Sequence, residues 1–245
     1  MSLILNKENR NNKLMKFINN YLMENYPPHP DDIIYKDKNF SDGIKEIDVW
    51  NYWISVKRKL VNWINGRNVT FLLRIDDKLI IKRNVNDRPI KLTLTNYDQL
   101  ISGRTNVVYV THPKITNYIV IDIDIGEGLS KSHALTALKF CRKILDKEYN
   151  VTRFEALHSS SKGIHLIAYL HRLVKLDSLR IELEELLRNN VPEGILVNVK
   201  GKGEGTINLD LTPMYSNNIH IARYSLTKDF FICDDVKNGL RKIDT

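Results

Sequence analysis

The sequence predicts an α+β fold, mixed β-sheets flanked by helices, and three observations lead there. Apolar residues recur at helical spacing in some segments and at period two in others. The two kinds of segment alternate along the chain. The 245 residues, 42% of them hydrophobic, suffice for a sizeable core. With no internal repeat or obvious linker, the pattern reads as one domain over 1–245: a helical N-terminal part at 1–66 and an α/β core at 67–245.

Leu14, Phe17, Ile18, Tyr21 and Leu22 mark a helix over 12–26, which Pro27, Pro28 and Pro30 end. Trp50, Trp53, Ile54, Leu60, Val61 and Ile64 mark a second, closed by Gly66. Its three tryptophans, Trp63 included, are expected in the core rather than as a platform for bases. After Gly66 the runs NVTFLLRI, KLIIKRN and IKLTLT read as strands, the first two joined by a tight turn at Asp76-Asp77. NVVYVTH (106–112) and NYIVIDIDI (117–125) follow as strands. Ser130 caps a helix over 131–148 with Ala134, Leu135, Leu138, Cys141 and Leu145 on one face. Strands at 151–158 and 163–170, a helix at 176–189, strands near 195–199 and 206–211, and a β segment near 219–233 complete the chain.

Lysine and arginine outnumber aspartate and glutamate by 37 to 29, a net charge of +8. That balance favours a polyanionic partner, nucleic acid before a membrane surface. Two cysteines, Cys141 and Cys233, make neither a disulfide framework nor a four-thiolate zinc site, so no zinc is expected. An intracellular location follows: cytoplasmic in a prokaryote, otherwise nuclear or at a viral replication site. The N-terminal apolar run is too short for a signal-peptide core, and no apolar stretch approaches the roughly 18–20 residues that cross a bilayer. No membrane partner is expected.

Three segments carry chemistry. In NYIVIDIDI, Asp122 and Asp124 stand two apart in a β-branched run, so a strand turns both carboxylates to one face and Ile121, Ile123 and Ile125 to the other. Their Cα atoms would lie roughly 6.5–7 Å apart, close enough to converge on a cation or a pair of cations. In HSSSKGIHL (158–166), a tight turn gathers Ser159, Ser160, Ser161, Lys162 and the Gly163 amide, with His165 on the outgoing strand. Hydroxyls, amides, a lysine and an imidazole together suit a triphosphate. In INLDL (207–211), Asp210 interrupts an apolar strand and offers a third carboxylate to a two-metal site, or else simply makes the turn before Thr212-Pro213. Arg223 and Lys228 in HIARYSLTK could meet phosphates of nucleotide or template. KGKGEG (200–205) does not have the G-x-x-x-x-G-K-[ST] pattern and reads as a basic loop.

The order and spacing of these segments resemble the archaeo-eukaryotic primase superfamily over roughly residues 67–230. The resemblance implies the primase catalytic fold, with an RRM-like catalytic half, and a small catalytic primase subunit or a primase-polymerase. It implies Asp122, Asp124 and Asp210 as catalytic metal ligands for Mg²⁺ or Mn²⁺. Ser159, Ser161, Lys162, His165 and Arg223 become contacts to the incoming triphosphate. Nucleoside triphosphates and a single-stranded DNA template are then the substrates, and a large primase subunit, a helicase or a ligase is a candidate partner. Arg67 in RNVTFLLR resembles the Arg-bearing strand that precedes the family's core. The family turn usually has Gly where Ser160 stands, and its third motif runs two residues longer than Arg223-Tyr224-Ser225-Leu226-Thr227. Residues 117–170 also resemble the polymerase domain of bacterial end-joining ligases.

The expected activity is template-directed nucleotidyl transfer, making or extending a strand. Two rivals come from other classes. A replication-initiator nuclease would need a His-hydrophobic-His pair, and His220-Ile221-Ala222 lacks the second histidine. A non-catalytic nucleic-acid-binding replication subunit would bind template without incorporating nucleotides.

Overall fold

The structure is a computed structural model, and it describes residues 30–75, 78–160, 163–199 and 203–243. The expected helix over 12–26 and the Asp76-Asp77 turn lie outside the described residues. In chain order, a hairpin of β1 (Ile33–Asp37) and β2 (Phe40–Lys45) leads into α1 (Glu46–Ile64). Next come β3 (Asn68–Ile75), β4 (Lys78–Lys82), β5 (Asn84–Val85), β6 (Arg88–Lys91), the single turn α2 (Tyr97–Leu100) and β7 (Thr105–Thr111). Then β8 (Ile115–Ile125), α3 (Lys131–Glu148), β9 (Val151–His158), β10 (Ile164–Lys175) and α4 (Leu176–Asn190) form the central unit. Strands β11 (Ile195–Val197), β12 (Ile207–Asp210) and β13 (Ile219–Ile221) follow.

Two larger sheets result, an α+β architecture as the sequence predicts. One runs β11-β12-β8-β10-β9, with β8 at its centre and only β11-β12 parallel. The other runs β13-β7-β3-β6-β5, and β4 also pairs with β3. Helices α3 and α4 share one core with Ile119, Ile121, Ile123 and Ile125, the outward-alternating residues of β8. Helix α1 shares a second core with β3, β7 and the hairpin. Burying each such side chain contributes about 1.5–3 kcal/mol, so the face of β8 that carries the isoleucines is fixed.

Local chemistry explains the element ends. Asp48 accepts from the Lys45 amide at 2.8 Å at the start of α1, where an acid also suits the helix dipole. The helix ends with Asn65 at φ 48°, followed by Gly66 at φ 73°, so the left-handed cap begins one residue before the expected glycine. Arg67 then closes the end: its Nε donates to the Ile64 carbonyl at 2.8 Å and its terminal nitrogen to the Trp63 carbonyl. Ser130 precedes α3, and its amide donates to Nδ1 of His133 at 3.2 Å.

Three expectations need correction. The stretch 33–45, inside the part read as helical, is a hairpin whose Asp37 accepts the Asn39 and Phe40 amides in the turn. The IKLTLT run is a strand only to Lys91, because Thr93 and Asn96 bond each other's amides and turn the chain. The β segment expected near 219–233 is regular only over Ile219–Ile221; Tyr224 and Phe230 take φ of 65° and 58°, which breaks the alternation.

Candidate active site

Register assembles the site. On β8, Asp122 pairs across to His165 on β10 and to Asp210 on β12, so one row reads His165–Asp122–Asp210 over three adjacent strands. Directly opposite residues share a face, with Cβ atoms about 4.5–5.5 Å apart. Asp124 lies two residues along the same face, opposite Asn208. Asn208 is buried and holds both the amide and the carbonyl of Val199 with its side chain, at 3.2 and 3.0 Å. The three aspartates are half-buried, whereas the isoleucines between them are sealed on the opposite face.

Asp122 meets two side chains of the neighbouring elements. His165 Nε2 lies 3.2 Å from its Oδ2, and Ser159 Oγ donates to its Oδ1 at 3.2 Å. His165 is buried, which alone would lower its pKa. The Asp122 carboxylate, by charge and by hydrogen bond, with Asp124 and Asp210 behind it, holds the pKa above the ordinary value instead. The imidazolium form is therefore favoured beside the acids.

The serine turn is tied down from below. The Gly163 amide donates to Ser160 Oγ at 2.7 Å, and the Ser159 amide donates to the Gly163 carbonyl at 3.1 Å. A Cβ at Gly163 would stand 2.6 Å from Ser159 Oγ and 2.9 Å from Ser160 Oγ, so glycine is there for close approach of these hydroxyls. Ser161 and Lys162 lie outside the described residues.

A hollow of about 250 Å³ opens on this face, lined by Asp122, Asp124, Ser159, Ser160 and His165. Tyr109 and Ile221 of the other sheet, with Thr227, Lys228 and Asp229, form its far wall. Burial pushes the Tyr109 hydroxyl up to about 12, so it stays a neutral donor. Asp210 adjoins Asp122 in the sheet but does not line the hollow; its Oδ1 accepts the Thr212 amide at 2.7 Å, the turn-making role weighed above. Among the described residues no three acidic, imidazole or thiol side chains are already drawn together at metal-ligand spacing. The backbone register, not the side-chain rotamers, is what juxtaposes the carboxylates. Their hard oxygen donors suit Mg²⁺ or Mn²⁺ rather than a thiophilic metal.

Arg223 stands apart from this hollow. Its Nε donates to Asp234 Oδ1 at 3.0 Å, its guanidinium lies over the Tyr224 ring, and it lines a different cavity. The early end of β13 and the left-handed Tyr224 turn it away, and Lys228 is the cation of HIARYSLTK that borders the acids. Tyr109, Asn208 and Asp229 are site residues that the sequence reading passed over. Tyr109 carried a signal, a polar-tipped residue in the alternating NVVYVTH strand; Asp229 sits in irregular chain and carried none. His220 is buried among His112, Tyr118 and His165 rings, and burial drives its pKa well below the ordinary value.

Fold and face together make an α+β architecture that carries two carboxylates on its central strand and a third on the neighbouring one. The structure is similar to the polymerase domain of Mycobacterium tuberculosis Ligase D, solved in complex with DNA: TM-score 0.65, 18% identity, covering 82% of this chain and 81% of that one. No protein-family model and no curated protein matches the sequence. Among the described residues no helix is long and apolar enough to cross a membrane.

Proposed function

We propose that this chain is a template-directed nucleotidyltransferase of the primase or primase-polymerase type, and the row His165–Asp122–Asp210 beside the serine turn carries that reading. Asp122, Asp124 and Asp210 would hold Mg²⁺ or Mn²⁺. A bound divalent cation would supply Lewis-acid stabilisation of charge on phosphoryl oxygens.

The chain's own residues supply position and charge. Ser159 and Ser160, with the Ser161-Lys162 segment, would seat the triphosphate at the turn, and Lys228 would approach it from the opposite wall. The 3′-hydroxyl of a strand or initiating nucleotide attacks the α-phosphorus in line and gives up its proton to solvent; the new bond is O3′ to α-phosphorus, and the α–β bridging bond breaks to release pyrophosphate. His165 and Lys228 offset charge on the leaving pyrophosphate. The pleat fixes the backbone of the acidic row, and side-chain rotation, with Asp210 leaving the Thr212 amide, would bring the carboxylates together. The similarity to a polymerase domain solved with DNA, and the basic balance, support a nucleic-acid template as the second substrate.

Primer extension with labelled strand, template and nucleoside triphosphates tests this, read beside Mn²⁺ binding followed by electron paramagnetic resonance. Asp122→Asn and Asp210→Asn should each lower incorporation at least about 100-fold and weaken Mn²⁺ binding. Wild-type rates in both variants would overturn the reading. One observation favours a second, a non-catalytic nucleic-acid-binding subunit: Asp210 is already bonded to the Thr212 amide. Template binding without incorporation by the wild-type protein under either metal would select it.

A further inference from the structure

The rings of His112, Tyr118 and His220 bridge the two large sheets, with His112 and Tyr118 stacked at 4.5 Å. A cavity of about 740 Å³, separate from the acidic hollow, lies between the end of α1 and the same face of the five-stranded sheet. It begins at Tyr118, four residues from Asp122 along β8, or roughly 13 Å at strand rise.

This cavity has a distinct chemistry. Arg153, Tyr169 and Tyr118 are direct cross-strand partners, making a row over β9, β10 and β8 in which the two tyrosine rings are inclined at 43°. The Arg153 guanidinium lies 4.0 Å from the Tyr169 ring centre, and the two tyrosine rings are 6.1 Å apart. Lys59, Arg67 and Arg223 bring the lining cations to four, against one acid, Glu155. Glu155 is taken up internally: Trp63 Nε1 donates to it at 2.9 Å and Arg153 pairs with it at 3.1 Å. The Tyr118 hydroxyl, buried at the cavity's edge, finds no acceptor among the described residues. Aromatic rings on neighbouring strands, capped by a guanidinium and ringed by positive charge, form a surface on which bases stack and phosphates are neutralised. An acidic peptide would satisfy the charge but leave the ring and guanidinium faces unused.

We propose that this cavity is a second, metal-independent binding site for single-stranded nucleic acid, a base stacking on the Tyr169–Arg153 platform while Lys59 and Arg223 meet flanking phosphates. It is separate from the carboxylate face and stands whatever chemistry that face performs.

Fluorescence anisotropy of a labelled 12-mer oligothymidine, in EDTA, tests it. Arg153 is 60% exposed but pairs with Glu155, so Arg153→Gln, which leaves Glu155 the Trp63 donor, keeps the fold and should raise Kd several-fold, and Arg153→Glu at least tenfold. Lys59→Glu should raise Kd several-fold, and its log Kd should vary less steeply with log salt, by about 0.7 for the one cation removed. Lys143→Glu, exposed on α3 and in the lining of neither cavity, should bind like wild type, which separates this site from general surface charge. Wild-type affinity in both Arg153→Glu and Lys59→Glu overturns the assignment, as does a wild-type protein that binds no oligonucleotide. Equal competition by a polyglutamate peptide of matched charge also overturns it, and marks a protein-docking surface instead.

Discussion

Gly163 shows how tightly single residues are set. Because a Cβ there would meet both serine hydroxyls, Gly163→Ala should push Ser159 off Asp122 while leaving the strands intact. The expected result is a loss of about 10–100-fold in kcat/KM for nucleotide incorporation, with an unchanged thermal midpoint. An unaltered rate would mean the serine turn does not hold substrate. The sequence displayed Asp122, Asp124 and His165 plainly, since alternation alone puts a residue on a face. It could not place Arg223 relative to the acids, because a period-two pattern cannot reveal that the Tyr224 backbone is left-handed. Nor could it show that Asp234 collects Arg223, Arg241 and Asn238.

Among the elements, α3 and α4 were legible almost to the residue, being long, amphipathic and bounded by clear end signals. The hairpin of β1 and β2 was not: five or six residues with a glycine and scattered charges give little periodicity, and burial of Ile34, Phe40 and Ile44 under α1 decides it. Two junctions are open to test. Gly126 follows β8, and a Cβ there would fall 1.9 Å from the Gly203 carbonyl, an atom of the backbone that cannot swing aside. Gly126→Ala should therefore cost about 1–3 kcal/mol in urea denaturation and also depress activity by disturbing the β8–β12 register. A neutral effect would show that the 203–206 segment yields freely. Trp63 packs on both cores and reaches Glu155. Trp63→Phe keeps the packing and deletes the donor, with an expected loss of about 1–3 kcal/mol at pH 7; equal stability would show that Arg153 alone satisfies the carboxylate.

For the molecule as a whole, buried imidazoles set the acid limit. Burial pushes His112 down to about 4; burial and then Lys131 do the same for His158; burial and then His112 hold His220 well below the ordinary value. Folded values below the ordinary 6.5 mean the unfolded chain takes up these protons first. The stabilisation is complete above that pH and lost as pH falls toward 4, with a limiting slope of about 1.4 kcal/mol per unit for His112. His165 runs the other way: its raised value gives stability present below 6.5 and lost as pH rises through its folded value. Three against one predicts a lower urea midpoint for the metal-free protein at pH 5 than at pH 7. His112→Asn should reduce that difference, and an unchanged pH slope in the variant would refute the role given to this residue. The β8–β12 pairing has one more consequence, for biosynthesis. Asp122 and Asp124 leave the ribosome with His165 soon behind, but Asp210 comes 86 residues after Asp124 in the sequence. A nascent chain can therefore build β8, β9 and β10, set Asp122 against His165, and still present β8 as an open sheet edge. Closing that edge and completing the charged row are one and the same folding event.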